Sequence, residues 1–584
     1  MKPNASPIPY GLADFVRVRT DESYYVDKTP FIPRLERVGS FLGFLRPRRF
    51  GKSLLVSMLE CYYDRNRRGQ FERLFEGTWI YDHPTPEQGQ YLVLRLDFSM
   101  VFAQSDRVEA SFDGHGSIAL DGFLHRYADC LPEDRVADIR RQPNFNLRFG
   151  HLLQVMADEQ LPFYLFIDEY DHVANNLLAA EGRESYQRLT HGGGFFKHFF
   201  TLLKGATGQS GSGLKRLYLT GVSPLVLDDV TSGFNILRNL TLEPVFADMA
   251  GFTEDETRTL IDHFAAISER PGAPDSAALW PLLTQWYDGY RFDPRSERSV
   301  FNSDMVLYFA LALYERGQAP DELIDINVRT DYSKLRYLVQ MGQSLNGNFA
   351  RLKAVLEEGE AHGPIIGSFP VARLTEPQHF ISLLYHLGLL THGGMKEGRA
   401  RLIVPNETIW QLHYSYLRDA YWEVNVFAPA LWLLQDHLVA LAYRGEWAGF
   451  FDYLAQQVAE QTSVRDYLQG EKVIQGFLLA YLNVLPFYLT RSEREAGKGF
   501  PDLFLEPFLM KYPDLRHSYL IELKYLRRGE DAPERRAALI ADGEAQLRRY
   551  LADADLRRRA GSTRLHGVLL VYHGWELVER REVA

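Results

Sequence analysis

Cysteine is scarce: the 584-residue chain has only Cys61 and Cys130. Two cysteines cannot build a disulfide framework or a cysteine-based zinc module, and they fit a reducing cytoplasm. Long apolar runs are missing as well. The longest candidate, Val424 to Leu441, is broken by Pro429, Gln435, Asp436 and His437, so no segment reads as crossing a bilayer. Met1 to Gly11 is proline-containing and polar without an apolar stretch, and no secretory signal is expected. Positive charge is not in excess. Lys and Arg number 65 against 76 Asp and Glu, a net −11, which excludes a protein that coats nucleic acid over its whole surface. Any such contact must be local. Repeats and low-complexity tracts are absent, and the closely spaced Gly205, Gly208, Gly211 and Gly213 mark one loop. What remains is ordinary globular composition, 46% hydrophobic and 24% charged, at a length that suits several domains. The expectation is a soluble, cytoplasmic protein with no membrane partner.

The first third alternates apolar runs with amphipathic stretches. Phe41–Leu45, Tyr91–Phe98, Leu161–Ile167 and Leu217–Thr220 read as strands, and Ser53–Tyr63 as a helix. Short apolar strands between helical segments predict a parallel sheet with helices on both faces. From Gly251 to Glu460 the patterns turn mostly helical. Thr253 and Glu256 form a capping-box signature at a helix start. A helix running into a turn (His379–Thr391), a strand (Arg399–Val404) and a helix (Asn406–Leu417) fit a winged-helix module or a helical connector with one hairpin. From Gln461 the alternation returns. Glu471–Leu482 reads as a helix and Leu485–Leu489, Asp502–Leu505 and Ser518–Leu523 as strands. A basic helix (Arg535–Leu551) and a last strand (Gly567–Tyr572) follow.

Two clusters carry chemistry. Arg46-Pro47-Arg48-Arg49-Phe50-Gly51-Lys52-Ser53 lies between a strand and a helix, where backbone N–H groups at a helix start can face an anion. Lys52 suits the β/γ-phosphates of a nucleotide, Ser53 suits Mg²⁺, and Gly51 allows close approach, with Arg49 and Phe50 completing the binding run. Arg46 stands where a P-loop has its first glycine. The strand ending at Ile167 runs into Asp168-Glu169, as in a Walker B element. Asp168 would hold Mg²⁺ and Glu169 would orient the attacking water. Thr220, at the end of a later strand, is either a γ-phosphate sensor or a plain strand end. The second cluster is Asp502, Glu522 and Lys524. Glu522 and Lys524 are two apart on one strand and share a face, and Asp502 opens a neighbouring strand. Two carboxylates can bind Mg²⁺, and the lysine can position water or stabilise phosphate charge. That is the chemistry of metal-assisted phosphodiester hydrolysis. The nearby arginines, Arg527, Arg528, Arg535, Arg536, Arg548, Arg549 and Arg557 to Arg559, either track phosphates or are solvated helix faces.

These motifs together resemble the AAA-ATPase-like family found fused to PD-(D/E)xK nuclease domains. The resemblance rests on Tyr24-Tyr25-Val26-Asp27-Lys28-Thr29, the Arg46–Ser53 run, Ile167-Asp168-Glu169-Tyr170-Asp171 and Thr220-Gly221-Val222-Ser223. It continues through Ser232-Gly233-Phe234-Asn235, Gly251-Phe252-Thr253, Trp286-Tyr287-Asp288-Gly289-Tyr290 and the Pro501-Asp502…Glu522-x-Lys524 order. Arg in place of the first P-loop glycine is itself typical of that family. The resemblance implies an α/β chain with an AAA-ATPase-like P-loop domain (1–250) and a helical lid (251–345). A winged-helix-like or helical connector (346–460) and a PD-(D/E)xK nuclease domain (461–584) would follow. It adds Gln546 and Tyr550 on the helix after the nuclease core, and Glu471 as a further metal contact or a surface glutamate. Phe500 departs from the basic residue usual just before the Pro-Asp pair. ATP and Mg²⁺, with Mn²⁺ as an alternative at the nuclease site, are the expected cofactors, and DNA the expected partner. Self-association is open, with Arg238 and Arg291 the candidate arginine fingers. A signalling-type NTPase that binds nucleic acid without cutting it, and a nucleotide-dependent scaffold, are the rival readings.

Overall fold

The computed structural model describes residues 6–583 apart from 208–211, 226–228, 230–236, 269–275, 294, 297, 334–339, 342–343, 346, 424–425, 462–463, 466–467, 469, 493–500 and 530. The Ser232–Asn235 motif and Phe500 therefore lie outside the described residues. The chain forms two compact units, one of residues up to 334 with 362–408, the other of 335–361 with 409–584.

The first unit is built on β1 (Phe41–Leu45), β2 (Leu92–Asp97), β3 (Phe163–Asp168), β4 (Leu214–Gly221) and β5 (Arg238–Asn239). Their order is β2-β3-β4-β1-β5, and every pairing is parallel. All six residues of β3 are buried. A strand covered on both faces reads as a continuous apolar run, which is why the sequence pattern found it. β3 starts at Phe163, because Pro162 has no N–H to give the ladder and only its carbonyl pairs, with the Leu92 N–H at 2.9 Å. The helix Lys52–Tyr63 follows β1 and packs on β2 and β3.

Beyond the sheet, the helix Glu254–Ile267 opens with the expected capping box. Thr253 Oγ1 accepts from the Glu256 N–H (3.3 Å), and Glu256 Oε2 accepts from the Thr253 N–H (2.7 Å). Three short strands, β6 (Gln340–Met341), β7 (Ser344–Leu345) and β8 (Glu360–His362), precede a helix at Pro377–His386. An antiparallel hairpin of β9 (Thr391–Lys396) and β10 (Arg399–Ile403) comes next. Thr391 thus begins a strand, where sequence placed the end of a helix and turn. β9 escapes the apolar pattern because Gly393 lies under Ile403, which a Cβ there would meet at 2.8 Å.

In the second unit, β11 (Tyr488–Ser492), β12 (Leu503–Pro507), β13 (His517–Leu526), β14 (Arg564–His573) and β15 (Glu576–Val583) form a sheet in chain order. β13 and β14 are parallel and the other pairs antiparallel. β11 starts three residues later than the pattern suggests, because Asn483 to Phe487 form a turn after the helix Glu471–Leu482. β15 is an edge strand rich in charge (Glu579, Arg580, Arg581, Glu582), which hides its strand period and protects the edge. The helix Pro533–Ala552 crosses β13 and β14. Its Ile540, Leu547 and Tyr550 join Leu520, Leu526, Leu569 and Val571 in one core. Strand alternation places Leu520, Glu522, Lys524 and Leu526 on that same helix-covered face. Among the described residues no helix is long and apolar enough to cross a membrane.

Candidate active sites

The first site sits where β1 turns into the helix Lys52–Tyr63. Gly51 caps that helix at φ +84°, and Arg49 also has a positive φ, +69°. The Arg49 carbonyl is fixed by the Ser303 hydroxyl (3.1 Å) and the Asp304 N–H (3.2 Å), and the Phe50 carbonyl by the Gly251 N–H (2.9 Å). Phe50 packs edge-on against Tyr290, centroids 4.9 Å apart. The loop is thus held from outside by the segments around Gly251, Tyr290 and Ser303. Arg46 is buried. It donates to the carbonyls of Leu45 (2.9 Å), Thr241 (2.7 Å) and Phe246 (2.9 Å), and its guanidinium lies between the Phe44 and Phe292 rings. Burial pushes its pKa down to about 10. Its guanidinium therefore bolts the loop to the sheet edge.

Lys52 is 4% exposed. Its Nζ donates to the Pro47 carbonyl (3.0 Å) and lies 4.0 Å from Glu169 Oε1. Burial pulls its pKa down, against the opposing pull of Glu169, Asp168 and Asp171. Asp168 is fully buried at the end of β3. It accepts from Arg95 Nη2 (2.8 Å), the Glu169 N–H (3.1 Å) and the Ser53 hydroxyl. Burial raises its pKa and Arg95 opposes the rise. Asp171 accepts from the N–H groups of Val222 (3.2 Å) and Ser223 (2.7 Å), tying β3 to β4, and burial lifts it to about 6. A cavity of about 510 Å³ opens over Lys52, Ser53 and Glu169, with Tyr24, Met249 and Leu307 in its wall. That volume lies within the usual range for small-molecule sites. A buried lysine, a left-handed glycine cap and a Ser–Asp oxygen pair fit a nucleotide triphosphate with Mg²⁺.

The second site lies under the helix Pro533–Ala552. Glu522, 4% exposed, receives Lys524 Nζ on Oε1 (3.1 Å). Its Oε2 is buried, and among the described residues no well-aligned donor reaches it. Asp502 Oδ2 accepts from the Leu523 N–H (2.7 Å), and Gln475 donates to the Asp502 carbonyl. Burial, and then the neighbouring Glu522, push Asp502 up to about 8. Burial raises Glu522 too, with Lys524 opposing, and Glu471 adds to the rise at both carboxyls. Lys524 Nζ reaches Gln546 Oε1 (2.9 Å) and Asp542 Oδ2 (3.0 Å) as well. Burial works against its charge, but Glu522 and Asp542 outweigh burial and hold its pKa above the usual lysine range. Among the described residues no three His, Cys, Asp or Glu side chains converge as a ready-made metal site. The orphaned Glu522 oxygen and the strained Asp502 carboxyl nonetheless offer the oxygen donors that a hard divalent cation takes.

Comparison with known proteins bears on both sites. Residues 9–231 match the family described as "Predicted AAA-ATPase". Residues 469–582 match the PD-(D/E)XK nuclease superfamily. The chain carries an AAA-ATPase-like domain and a PD-(D/E)XK nuclease superfamily domain. A protein from Azotobacter chroococcum mcd 1, titled "Uncharacterized protein in vnfD 5'region", is 27% identical over 306 residues. The match spans 52% of this chain and 51% of that protein, so the chain covers about half the length of this relative.

In the ATPase-like domain the fold brings Arg49, Phe50, Gly51, Lys52, Ser53 and Glu169 to one cavity, with Asp168 bonded to Ser53. Thr220 is not in that lining. Its hydroxyl donates to the Phe44 carbonyl (2.8 Å), joining β4 to β1. Arg238 grips Glu243 (2.8 Å) and the Val38 carbonyl (2.7 Å) in its own chain. In the nuclease domain Asp502, Glu522, Lys524 and Gln546 come together, and Glu471 lies one helical turn before Gln475. Several of the arginines are spent on acids of the same chain: Arg536 on Asp531, Arg548 on Glu544, Arg558 on Asp555 and Arg559 on Glu506. Sequence reasoning missed Arg95, Arg48 in the cavity wall, Gln475 and Asp542. A charged residue inside the apolar run of β2 was the available signal for Arg95.

Proposed function

We propose that the protein hydrolyses ATP at the first site and cuts DNA with a divalent metal at the second, and that nucleotide state controls cutting. The observation that carries this reading is the pair of sites themselves. One buries a cation at a helix start, and the other sets a buried and a half-buried carboxylate beside a lysine. In the ATPase-like domain (1–250) Lys52 takes the β/γ-phosphates. Ser53 and Asp168 take the Mg²⁺ side, and Glu169 orients and polarises the attacking water. In the nuclease domain (461–584) Asp502 and Glu522, with Glu471 behind them, would hold Mg²⁺ or Mn²⁺. When bound, that ion supplies Lewis acidity toward a phosphodiester oxygen and lowers the pKa of water. Lys524 stands beside Glu522 to bear on the phosphate or the water.

The lid and connector between the two domains (251–460) are the proposed transmitter. Gly251, Tyr290 and Ser303 hold the phosphate loop from outside. Trp286 and Asp288 accept from Thr408 (2.7 Å) and Asn406 (2.6 Å), just before the chain passes into the second unit. We read the hairpin β9–β10 with its flanking helices as a winged-helix-like element. Thr220 acts in this reading through the β1–β4 contact. Cytoplasmic defence against foreign DNA is the proposed setting, with Arg291 the candidate finger if copies associate. The deciding experiment incubates the purified chain with plasmid, linear and single-stranded DNA. It is run with Mg²⁺ or Mn²⁺, and with ATP, ADP, a non-hydrolysable analogue or no nucleotide. Metal-dependent cleavage that changes with nucleotide is expected. Binding without cleavage under every metal would leave a nucleic-acid-binding NTPase instead.

A further inference from the structure

Lysine has three N–H donors. At Lys524 two of them are donated to Glu522 Oε1 (3.1 Å) and Gln546 Oε1 (2.9 Å), and Asp542 Oδ2 forms an ion pair with the same ammonium at 3.0 Å. Asp542 therefore stands as an anion against the ammonium that a phosphate oxygen would pair with. The three partners differ in how firmly they are held. Glu522 is buried on β13. Gln546 lies one helical turn beyond Asp542, and its Nε2 donates back to Asp542 Oδ2 (3.1 Å). The Asp542 side chain is 56% exposed, so it can leave the lysine for water at little cost. The approach is built into the fold. Gly543 lets the helix Pro533–Ala552 press on the sheet, since a Cβ there would meet Leu569 Cδ1 at 2.5 Å and Lys524 Cε at 3.2 Å. Beside this lysine, the buried Glu522 keeps an oxygen, Oε2, for which no well-aligned donor lies among the described residues.

We propose that Asp542 is a placeholder for the substrate: its carboxylate holds the Lys524 donor that a phosphodiester oxygen takes when DNA enters, and it leaves as the DNA arrives. This rests on the reading of the second site as one that receives DNA. An incoming phosphate therefore competes with a carboxylate already in place. That competition weakens binding and denies the lysine to weaker anions. The charge-assisted hydrogen bond that the phosphate gains from Lys524, less the exposed ion pair that the lysine gives up, is worth about a tenfold change in affinity.

The test measures DNA binding by fluorescence anisotropy in EDTA, with the full chain at fixed salt. Asp542→Ala is expected to bind about tenfold tighter than wild type. The position is exposed and helical, and alanine suits it. Asp542→Glu restores the charge and acceptor and is expected to return affinity to within about twofold of wild type. In a Lys524→Met background the gain from Asp542→Ala is expected to shrink below about twofold, because no donor remains to be released. A gain that persists there means a general surface-charge effect and overturns the placeholder. In a cleavage assay with Mg²⁺ the same alanine variant is expected to lower KM for DNA. A fall in kcat at constant KM would mean that Asp542 only steadies Lys524, and would overturn the proposal. So would unchanged or weaker binding, including no binding by either protein. Tighter, Lys524-dependent binding with no cleavage by wild type keeps the placeholder and rejects the nuclease reading. Cleavage by wild type without the binding gain does the reverse.

Discussion

Asp502→Asn should stabilise the metal-free protein, although it destroys a proposed metal ligand. An aspartate in the unfolded chain ionises at its usual value of 3.8, whereas burial and Glu522 push the folded carboxyl up to about 8. Between these values the folded state binds the extra proton. Stability from this group is therefore complete below about pH 4 and is lost as pH rises toward 8. At pH 7 the gap from 3.8 corresponds to an upper bound of about 4 kcal/mol, at 1.36 kcal/mol per unit. Relaxation and water entry reduce it to roughly 2–4 kcal/mol. Asparagine carries no charge, and its carbonyl can still accept from the Leu523 N–H that Asp502 holds at 2.7 Å. For a unit of about 200 residues that gain amounts to roughly 5–10 °C in melting temperature. The assay is a pair of thermal melts, wild type and Asp502→Asn, in EDTA from pH 5 to 8. The stabilisation should be largest at pH 8 and shrink toward pH 5. Added Mg²⁺ should raise the wild type and leave the variant where it was. Equal melting at pH 8, or a gain that does not shrink in acid, would refute the assignment of a strained carboxyl.

Three further outcomes follow from the same geometry. Lys52→Ala should lose ATP binding at least a hundredfold by equilibrium titration, while Glu169→Gln should keep binding and lose turnover in a phosphate-release assay. Arg46→Ala should cost about 3–5 kcal/mol in denaturant unfolding, because three carbonyls lose their donor and the Phe44–Phe292 slot empties. Lys52→Ala should also change the rate of DNA cleavage, although it is no part of the second site; equal rates in every nucleotide state would leave two independent domains.

The parallel sheet was legible because its strands are buried on both faces and read as plain apolar runs. The mixed sheet was legible where its strands are buried, and lost at β15, an edge strand whose Glu579, Arg580, Arg581 and Glu582 break the apolar alternation. Lys52, Asp168, Glu522 and Lys524 could be named because their chemistry depends on spacing along single elements. Arg95 and Asp542 could not, because each reaches its partner from another element, 73 residues away for Arg95 and Asp168. Arg46 was visible as an oddity in the loop. Its role was not, since the carbonyls it serves at Thr241 and Phe246 come from about 200 residues downstream. Likewise the arginines near the C-terminus formed a basic run on paper, and several prove to be paired with acids that sequence could not match to them.

The two sites share one electrostatic logic with opposite signs. Burial pulls Lys52 down and pushes Asp502 up, so each site without its ligand is strained toward neutrality. Neither strain is relieved fully within the chain. Lys52 has a carbonyl at 3.0 Å and a carboxylate only at 4.0 Å, and one Glu522 oxygen has no well-aligned donor among the described residues. The missing charge is negative at the first site and positive at the second, which is the charge of a phosphate and of a metal ion. Buried charges persist only where something compensates them. The strain therefore agrees with the proposed ligands, and whatever binds should also stabilise the domain that holds it.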